Sequence, residues 1–330
     1  MRLKAKLKSR LQDCGIIKAM KMEKIETAFG LLLTNVQELE TRLATHFYDA
    51  LIEQNVSYLG QAASADLQER NTQLRALKLT KQEWQKVYQF ALIKGAKDMR
   101  LQANHQLTPD AIGYIINFMI ETLSPETSLS MLELGSGTGN LAETLLTGMP
   151  DKTISYTGFE VDDLMIDLSA SIADVMQTSA QFLQIDAVRP QVIEPVDLLL
   201  SDLPVGYYPD DAIAQRSLVG SQTEHTYAHH LLMAQGFKYL KSDGYAIFLA
   251  PSDLLSSPQA DLLKKWLQDY ASVAAVITLP EDIVTENHSK AIFVLQKSAQ
   301  GKTPFVFPLT SLTNPEIVPT FMTQFRQNMI

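Results

Sequence analysis

The sequence predicts an α/β protein in two parts: a helical amino-terminal domain over residues 22–103 and, over 104–330, a mainly parallel sheet covered by helices on both faces. Three observations carry this expectation. No strand pattern occurs before about Met99, seven apolar strand candidates interleave with helical stretches after residue 104, and a glycine-rich turn follows the first of those strands. At 330 residues the chain is about twice a usual single-domain length. Its 46% apolar and 20% charged residues are ordinary for a globular chain and exclude fibres and disordered tails.

In the amino-terminal part, Ile25, Phe29, Leu32, Val36, Leu39, Leu43 and Phe47 recur at steps of three and four, the spacing of one stripe on a long helix. Leu67, Leu74 and Leu77 predict a second helix. Thr80 caps a third, whose apolar face is Trp84, Val87, Tyr88, Ala91 and Met99. A small helical bundle follows from these stripes, with a heptad dimerisation seam as the alternative use of the first. Residues 1–21 hold seven basic side chains against Asp13 alone, a net of +6 that leaves −15 on the rest of the chain. That stretch is expected to be a basic arm outside the folded unit. The acidic remainder argues against strong sequence-independent adhesion to nucleic acid, which needs clustered Lys and Arg.

The strand candidates are 131–134, 154–159, 181–184, 196–200, 245–250, 273–279 and 291–296. Only the short connection 280–290 separates the last two, which suits an antiparallel hairpin better than a parallel crossover. No apolar run reaches the ~18 residues needed to cross a bilayer, and no secretory signal follows the basic opening, so a cytoplasmic protein with no membrane partner is expected. Cys14 is the only cysteine, which excludes an internal disulfide and a cysteine-based metal site.

The chemistry concentrates at Leu132-Glu133-Leu134-Gly135-Ser136-Gly137-Thr138-Gly139-Asn140, a strand end and glycine turn opening a helix through Leu141, Leu145 and Leu146. Glycines let the backbone turn sharply and approach a ligand at the carboxyl edge of the sheet. The G-x-G-x-G spacing lacks the two-residue gap of the dinucleotide fingerprint. Glu133 before the turn would repel a pyrophosphate and attract an ammonium, which favours a ligand bearing an amino acid. Glu160 and Asp186 end the next two strands, so three acidic strand ends share one crevice.

With these segments in order, the chain resembles the class I S-adenosylmethionine-dependent methyltransferases, which implies a Rossmann-like seven-stranded methyltransferase sheet and S-adenosylmethionine as cofactor. The resemblance implies that Glu133, Gly135, Gly137 and Gly139 bind the cofactor, that Glu160 binds its ribose hydroxyls, and that Asp186 lies near its adenine amino group. Asp202-Leu203-Pro204-Val205-Gly206-Tyr207-Tyr208 resembles the fourth motif of amino-methyltransferases, Asn or Asp, then two prolines and an aromatic residue. An exocyclic amino nitrogen conjugated to a ring is a poor nucleophile, and acceptors on its protons help it pyramidalise as it attacks. Asp202 and Pro204 match the motif, which implies that they bracket the target nitrogen, with Asp202 also expected at the cofactor. Leu203 keeps a carbonyl in the first proline position, while Val205 lacks the ring that stacks on an everted base, leaving Tyr207 or Tyr208 to face the substrate.

Leu107-Thr108-Pro109, with Asn104 to Gln106 before it, is similar to the cofactor-wrapping segment of the adenine-specific modification subunits of type I restriction systems, and Thr108 would help close the pocket. The segments at 240–252, 279–280 and 293–297 resemble the last strands of the same subunits. The resemblance, over about 104–300, implies methyl transfer to an amino nitrogen, most plausibly of adenine in DNA, without a separate target-recognition domain. RNA or a protein glutamine amide is the alternative acceptor, and a cofactor-binding interaction protein without catalysis is the third reading. A protein partner or a homodimer through the amino-terminal helices is the expected partner. His225, His229 and His230 could place two imidazoles one helical turn apart, but without a third ligand no metal is expected. His105 and His288 are expected to be loop hydrogen-bond partners.

Overall fold

The computed structural model describes residues 2–60, 64–99, 107–280, 289–297 and 303–329, with side chains from residue 22 apart from those of 98 and 99. The chain forms two compact units, 1–101 with 171–177, and 102–170 with 178–330. The side chains of the basic opening stretch and of Met99, and the whole of His105 and His288, lie outside the described residues.

In the first unit α1 spans Arg2–Leu43, α2 Phe47–Leu59, α3 Ala65–Ala76 and α4 Lys81–Met99. Ile25, Leu32, Val36 and Leu39 are buried, and α1 packs on α2, α3 and α4, so this part of the stripe is covered within the bundle, while Leu43 is exposed. It also ends earlier than the spacing predicts. Ala44 takes a left-handed φ of 51°, which breaks the helix, and Phe47 opens α2. That helix escapes apolar periodicity because its inner face includes Gln54, Asn55 and Ser57. They are bonded to other polar side chains: Gln54 Nε2 donates to Asn71 Oδ1 at 2.7 Å, Asn71 Nδ2 to Ser57 Oγ at 3.0 Å, and Asn55 Oδ1 accepts from the Tyr88 hydroxyl at 2.8 Å, while Gln54 Oε1 has no partner among the described residues. Thr80 caps α4 as its sequence predicts. Its hydroxyl accepts from the Glu83 amide at 3.2 Å while its own amide donates to Glu83 Oε2 at 2.8 Å, a reciprocal capping box.

The second unit is built on eight strands: β1 Ser128–Leu134, β2 Thr153–Glu160, β3 Ala180–Gln184, β4 Val196–Asp202, β5 Leu240–Pro251, β6 Ser272–Thr278, β7 Lys290–Gln296 and β8 Phe305–Pro308. Their order is β3-β2-β1-β4-β5-β7-β6-β8. The first five pair in parallel, and β7 inserts antiparallel between β5 and β6, as the short 280–290 connection implies. Successive side chains enter opposite layers: Leu132, Leu134, Leu199 and Phe248 join one core, Met131, Leu198, Leu200 and Ile247 the other. Helices α5 (Asp110–Leu123), α6 (Asn140–Gly148), α7 (Asp163–Met176), α8 (Asp211–Ala214), α9 (Ala228–Gly236), α10 (Ala260–Tyr270) and α11 (Ile317–Met329) complete the element list. No described helix is long and apolar enough to cross a membrane.

The eighth strand corrects the count of seven. β8 is a four-residue edge strand in which Val306 is 61% exposed, too short and too wet to register as an apolar run. It forms because Phe305 and Phe307 pack on α11, with ring centroids 6.0 Å from Phe325 and 5.4 Å from Phe321. Phe325 also meets Phe118 of α5 at 5.9 Å and is fully buried. We therefore expect Phe325→Ala to lower the unfolding free energy of this unit by ~3–5 kcal/mol, measured by urea titration.

Candidate active site

Strand order reverses between β1 and β4, the place where an open parallel sheet leaves a crevice at its carboxyl edge. A cleft of about 900 Å³ lies there, lined by residues of the second unit that include Thr108, Glu133, Gly135, Gly137, Glu160, Asp186, Asp202, Pro204 and Lys290. That volume suits a cofactor-sized ligand.

The turn after β1 holds the crevice open. Gly135, Gly137 and Gly139 all have left-handed φ, at 70°, 50° and 74°, and a Cβ on Gly135 or Gly137 would meet nothing within 4 Å. Gly139 is additionally constrained by packing: a Cβ there would lie 2.9 Å from Ser169 Cβ and 3.0 Å from Phe182 Cζ. The Gly135 and Ser136 amides donate to the Phe159 carbonyl at 2.8 and 3.0 Å, which ties the turn to β2. The Ser136 hydroxyl is buried with no hydrogen-bond partner among the described residues.

Glu133 is 2% exposed, and its Oε2 accepts from the Tyr156 hydroxyl at 2.7 Å. Among the described residues no basic side chain pairs with it. Burial pushes its carboxyl from the usual 4.5 up to about 8, and the nearby charges of Asp202 and Glu160 act in the same direction against the Tyr156 bond. Glu160 is held by backbone amides instead: Oε2 accepts from Gly137 at 2.9 Å, and Oε1 from Val161 and Asp162 at 2.7 and 3.1 Å. Asp186 accepts from the Val188 amide at 3.0 Å, from Arg189 Nε at 3.1 Å and from the Tyr208 hydroxyl at 2.6 Å.

Asp202 closes the other side of the cleft. Its Oδ2 accepts from the Thr108 hydroxyl at 2.8 Å, and its Oδ1 pairs with Lys290 Nζ at 2.6 Å. Asn140 Nδ2 in turn donates to the Thr108 carbonyl at 2.8 Å, so Thr108 joins the start of α6 to the end of β4. Lys290 and Asn140 are missing from the sequence-based site. Asn140 stands in the glycine motif itself, and Lys290 opens the strand predicted to be antiparallel, whose first residue must lie at the carboxyl edge of β5. There it faces Pro251.

The two tyrosines separate. Tyr208 lines the cleft beside Asp186, and burial followed by the Asp186 bond pushes its hydroxyl up to about 12. Tyr207 is 58% exposed, is not part of the cleft lining, and stacks on Tyr227 at 4.9 Å and 7°. Tyr227 stacks on His229 at 5.1 Å. Burial lowers His229 to about 4, opposed by its hydrogen bond to the Pro204 backbone, and lowers His230 to about 3. His229 and His230 meet edge to face at 4.7 Å, and His229 Nδ1 and both His230 ring nitrogens have no hydrogen-bond partner among the described residues. His225 pairs with Asp211 at 2.9 Å, and no group of three metal-ligating side chains occurs among the described residues.

No protein-family model matches the chain. It is 35% identical over 203 residues to the uncharacterized protein YtxK of Bacillus subtilis (strain 168), and the match spans 61% of each chain, less than two thirds of that relative's length. The structure is similar to that of a Listeria monocytogenes protein described as a candidate class I S-adenosylmethionine-dependent methyltransferase, with 28% identity, a TM-score of 0.85, and coverage of 93% of this chain and 99% of that one. The type I restriction-modification methyltransferase subunit of Streptococcus thermophilus shares the fold at 14% identity and a TM-score of 0.62, over 93% of this chain and 74% of that chain.

The Glu133 carboxyl has a direct consequence for stability. The unfolded chain releases its proton near 4.5 and the native protein near 8, so across that window the native state binds the extra proton and stability falls as pH rises, by at most ~1.4 kcal/mol per unit. His229 and His230 act oppositely, lending stability above about 6.5 that is lost as pH falls toward 4 and 3. A comparison with Glu133→Gln isolates the first trend. The variant is expected to melt higher than the parent, by a margin that widens from pH 6 to pH 8.5 in thermal denaturation.

Proposed function

We propose that this chain, which has the class I S-adenosylmethionine-dependent methyltransferase fold, transfers a methyl group from that cofactor to an exocyclic amino nitrogen, that of adenine in DNA. The observation that carries the reading is the convergence of Glu133, Glu160, Asp186 and Asp202 on one cleft beside a left-handed glycine turn. Two features of the cleft fit the cofactor: a buried acid with no counter-cation suits an ammonium, and the Ser136 hydroxyl awaits a partner. Glu133 and the turn of Gly135, Gly137 and Gly139 would hold its amino-acid end, Glu160 its ribose and Asp186 its adenine, with Thr108 closing the pocket. When bound, S-adenosylmethionine supplies an electrophilic methyl whose carbon–sulfur bond breaks, the electron pair staying on sulfur, as the acceptor nitrogen bonds to the carbon.

The chain's own part is orientation and proton handling. Asp202 accepts from the acceptor's N–H and takes up the proton that nitrogen must lose, while Pro204 stiffens the turn that carries Asp202 and is itself held by His229. Tyr208 supports Asp186, and Tyr207, on the exposed stack with Tyr227, is the ring available to a nucleobase where Val205 offers none. A second reading keeps the cofactor and changes the acceptor to RNA or a protein glutamine amide; the −15 charge outside the first 21 residues favours the amide, because RNA carries the same phosphate charge as DNA. A partner chain would supply the phosphate-binding surface for a DNA substrate.

Calorimetry tests the cofactor site. Glu133 is mostly protonated at pH 7 in the free protein, so binding an ammonium against it should release nearly one proton, seen as buffer-dependent enthalpy, and affinity should rise from pH 6 to 7.5. Replacing Asp202 by Ala should lower the transfer rate by roughly 10²–10³-fold with little change in cofactor affinity, read by labelled-methyl transfer. The acceptor is decided by mass spectrometry of genomic DNA, RNA and protein from cells with and without the chain, where the proposal requires methylated adenine in DNA to depend on it.

A further inference from the structure

Asp202 meets the cleft with both oxygens engaged, and the Lys290 ammonium on Oδ1 also lines that cleft. The two side chains are only 17% and 15% exposed, so the ion pair is shielded from bulk water and its charges are felt strongly by anything that enters. Lys290 reaches this place because β7 runs against β5: its first residue, opposite Pro251, stands at the sheet's carboxyl edge. A lysine on its flexible four-carbon stem can shift from Asp202 toward a ligand while remaining beside it.

Side by side, the pair presents one acceptor and one donor. The matching surface is a nitrogen bearing hydrogen next to an acceptor atom, as in a carboxamide or in the amidine edge of an aminated nucleobase, the pattern by which side-chain amides read adenine. A protonated alkylamine offers donors alone and is repelled by the lysine charge. We propose that Lys290 is a specificity-determining residue, which with Asp202 selects an amino group adjacent to a hydrogen-bond acceptor and rejects alkylamines. This rests on the reading of Asp202 as the partner of the methyl acceptor.

The test compares the full chain, Lys290→Met and the double variant Asp202→Asn/Lys290→Met. Labelled-methyl transfer is measured to an adenine oligonucleotide, a glutamine peptide and a lysine peptide, and binding of S-adenosylhomocysteine is measured by calorimetry. The parent should favour the oligonucleotide or the glutamine peptide over the lysine peptide by about 100-fold in kcat/KM. Lys290→Met should lose about tenfold or more on the favoured acceptor, chiefly through KM, with the S-adenosylhomocysteine Kd changed by less than about threefold. The double variant leaves no unpaired charge and places acceptor and donor on one asparagine amide, so it should recover the preference, at a rate lowered by loss of the Asp202 carboxylate, and carries the test if the single variant misfolds. Equal use of the lysine peptide by the parent or by the double variant, or an unchanged kcat/KM in a folded Lys290→Met, overturns the inference. A parent that binds no S-adenosylhomocysteine overturns the methyltransferase reading itself and this inference with it, a failure visible in the calorimetry before any acceptor is compared.

Discussion

The constraint on which the site depends is a buried carboxyl at the end of β1 without a compensating cation, held protonated at neutral pH by its burial. A carboxylate in that position costs the empty protein stability, and the Tyr156 hydroxyl offsets only part of it. The surrounding fold is arranged to tolerate the cost. Two strong parallel pairings bracket β1, apolar layers cover both faces, and the neighbouring acids Glu160 and Asp186 are tied to backbone amides and to Tyr208 and Arg189 rather than left to repel it at close range. A buried acid without a counter-cation at a cleft is a cost that the ammonium of the cofactor proposed above would relieve.

The cleft divides into two chemically different halves. On the β1, β2 and β3 side, glycine-turn amides and strand-end acids form a surface with little side-chain freedom. On the β4 side, Thr108, Asp202 and Lys290 come from three separate stretches of chain and meet through side chains alone. The first half follows from backbone conformation. The second depends on tertiary placement, because nothing but the register of β7 on β5 brings a residue 88 positions away to Asp202.

That division explains what could be read from the amino acids. The seven longer strands, the antiparallel hairpin, the glycine turn and the acidic strand ends were legible because burial on both faces and left-handed turns leave local signatures. β8 was not, since its formation rests on Phe321 and Phe325 of α11 rather than on its own four residues. α2 was obscured by the inward Gln54 and Asn55, which read as surface until Asn71 and Tyr88 are seen to bond them. Tyr207 and Tyr208 are adjacent in sequence yet point to different surroundings, one to Tyr227 and one to Asp186, a separation set by the Tyr207–Tyr227 bridge and invisible to spacing. Lys290 had no local mark; only the direction of its strand could have located it.

The reversed β7 has an evolutionary consequence. In a uniformly parallel sheet every rim position belongs to a strand's end and to the turn that follows, so altering the rim also disturbs a crossover. A single strand entering from the other direction contributes its opening residue instead. The β4 side of the cleft can thereby be retuned at one codon while the glycine turn, encoded about 150 residues earlier, is inherited unchanged.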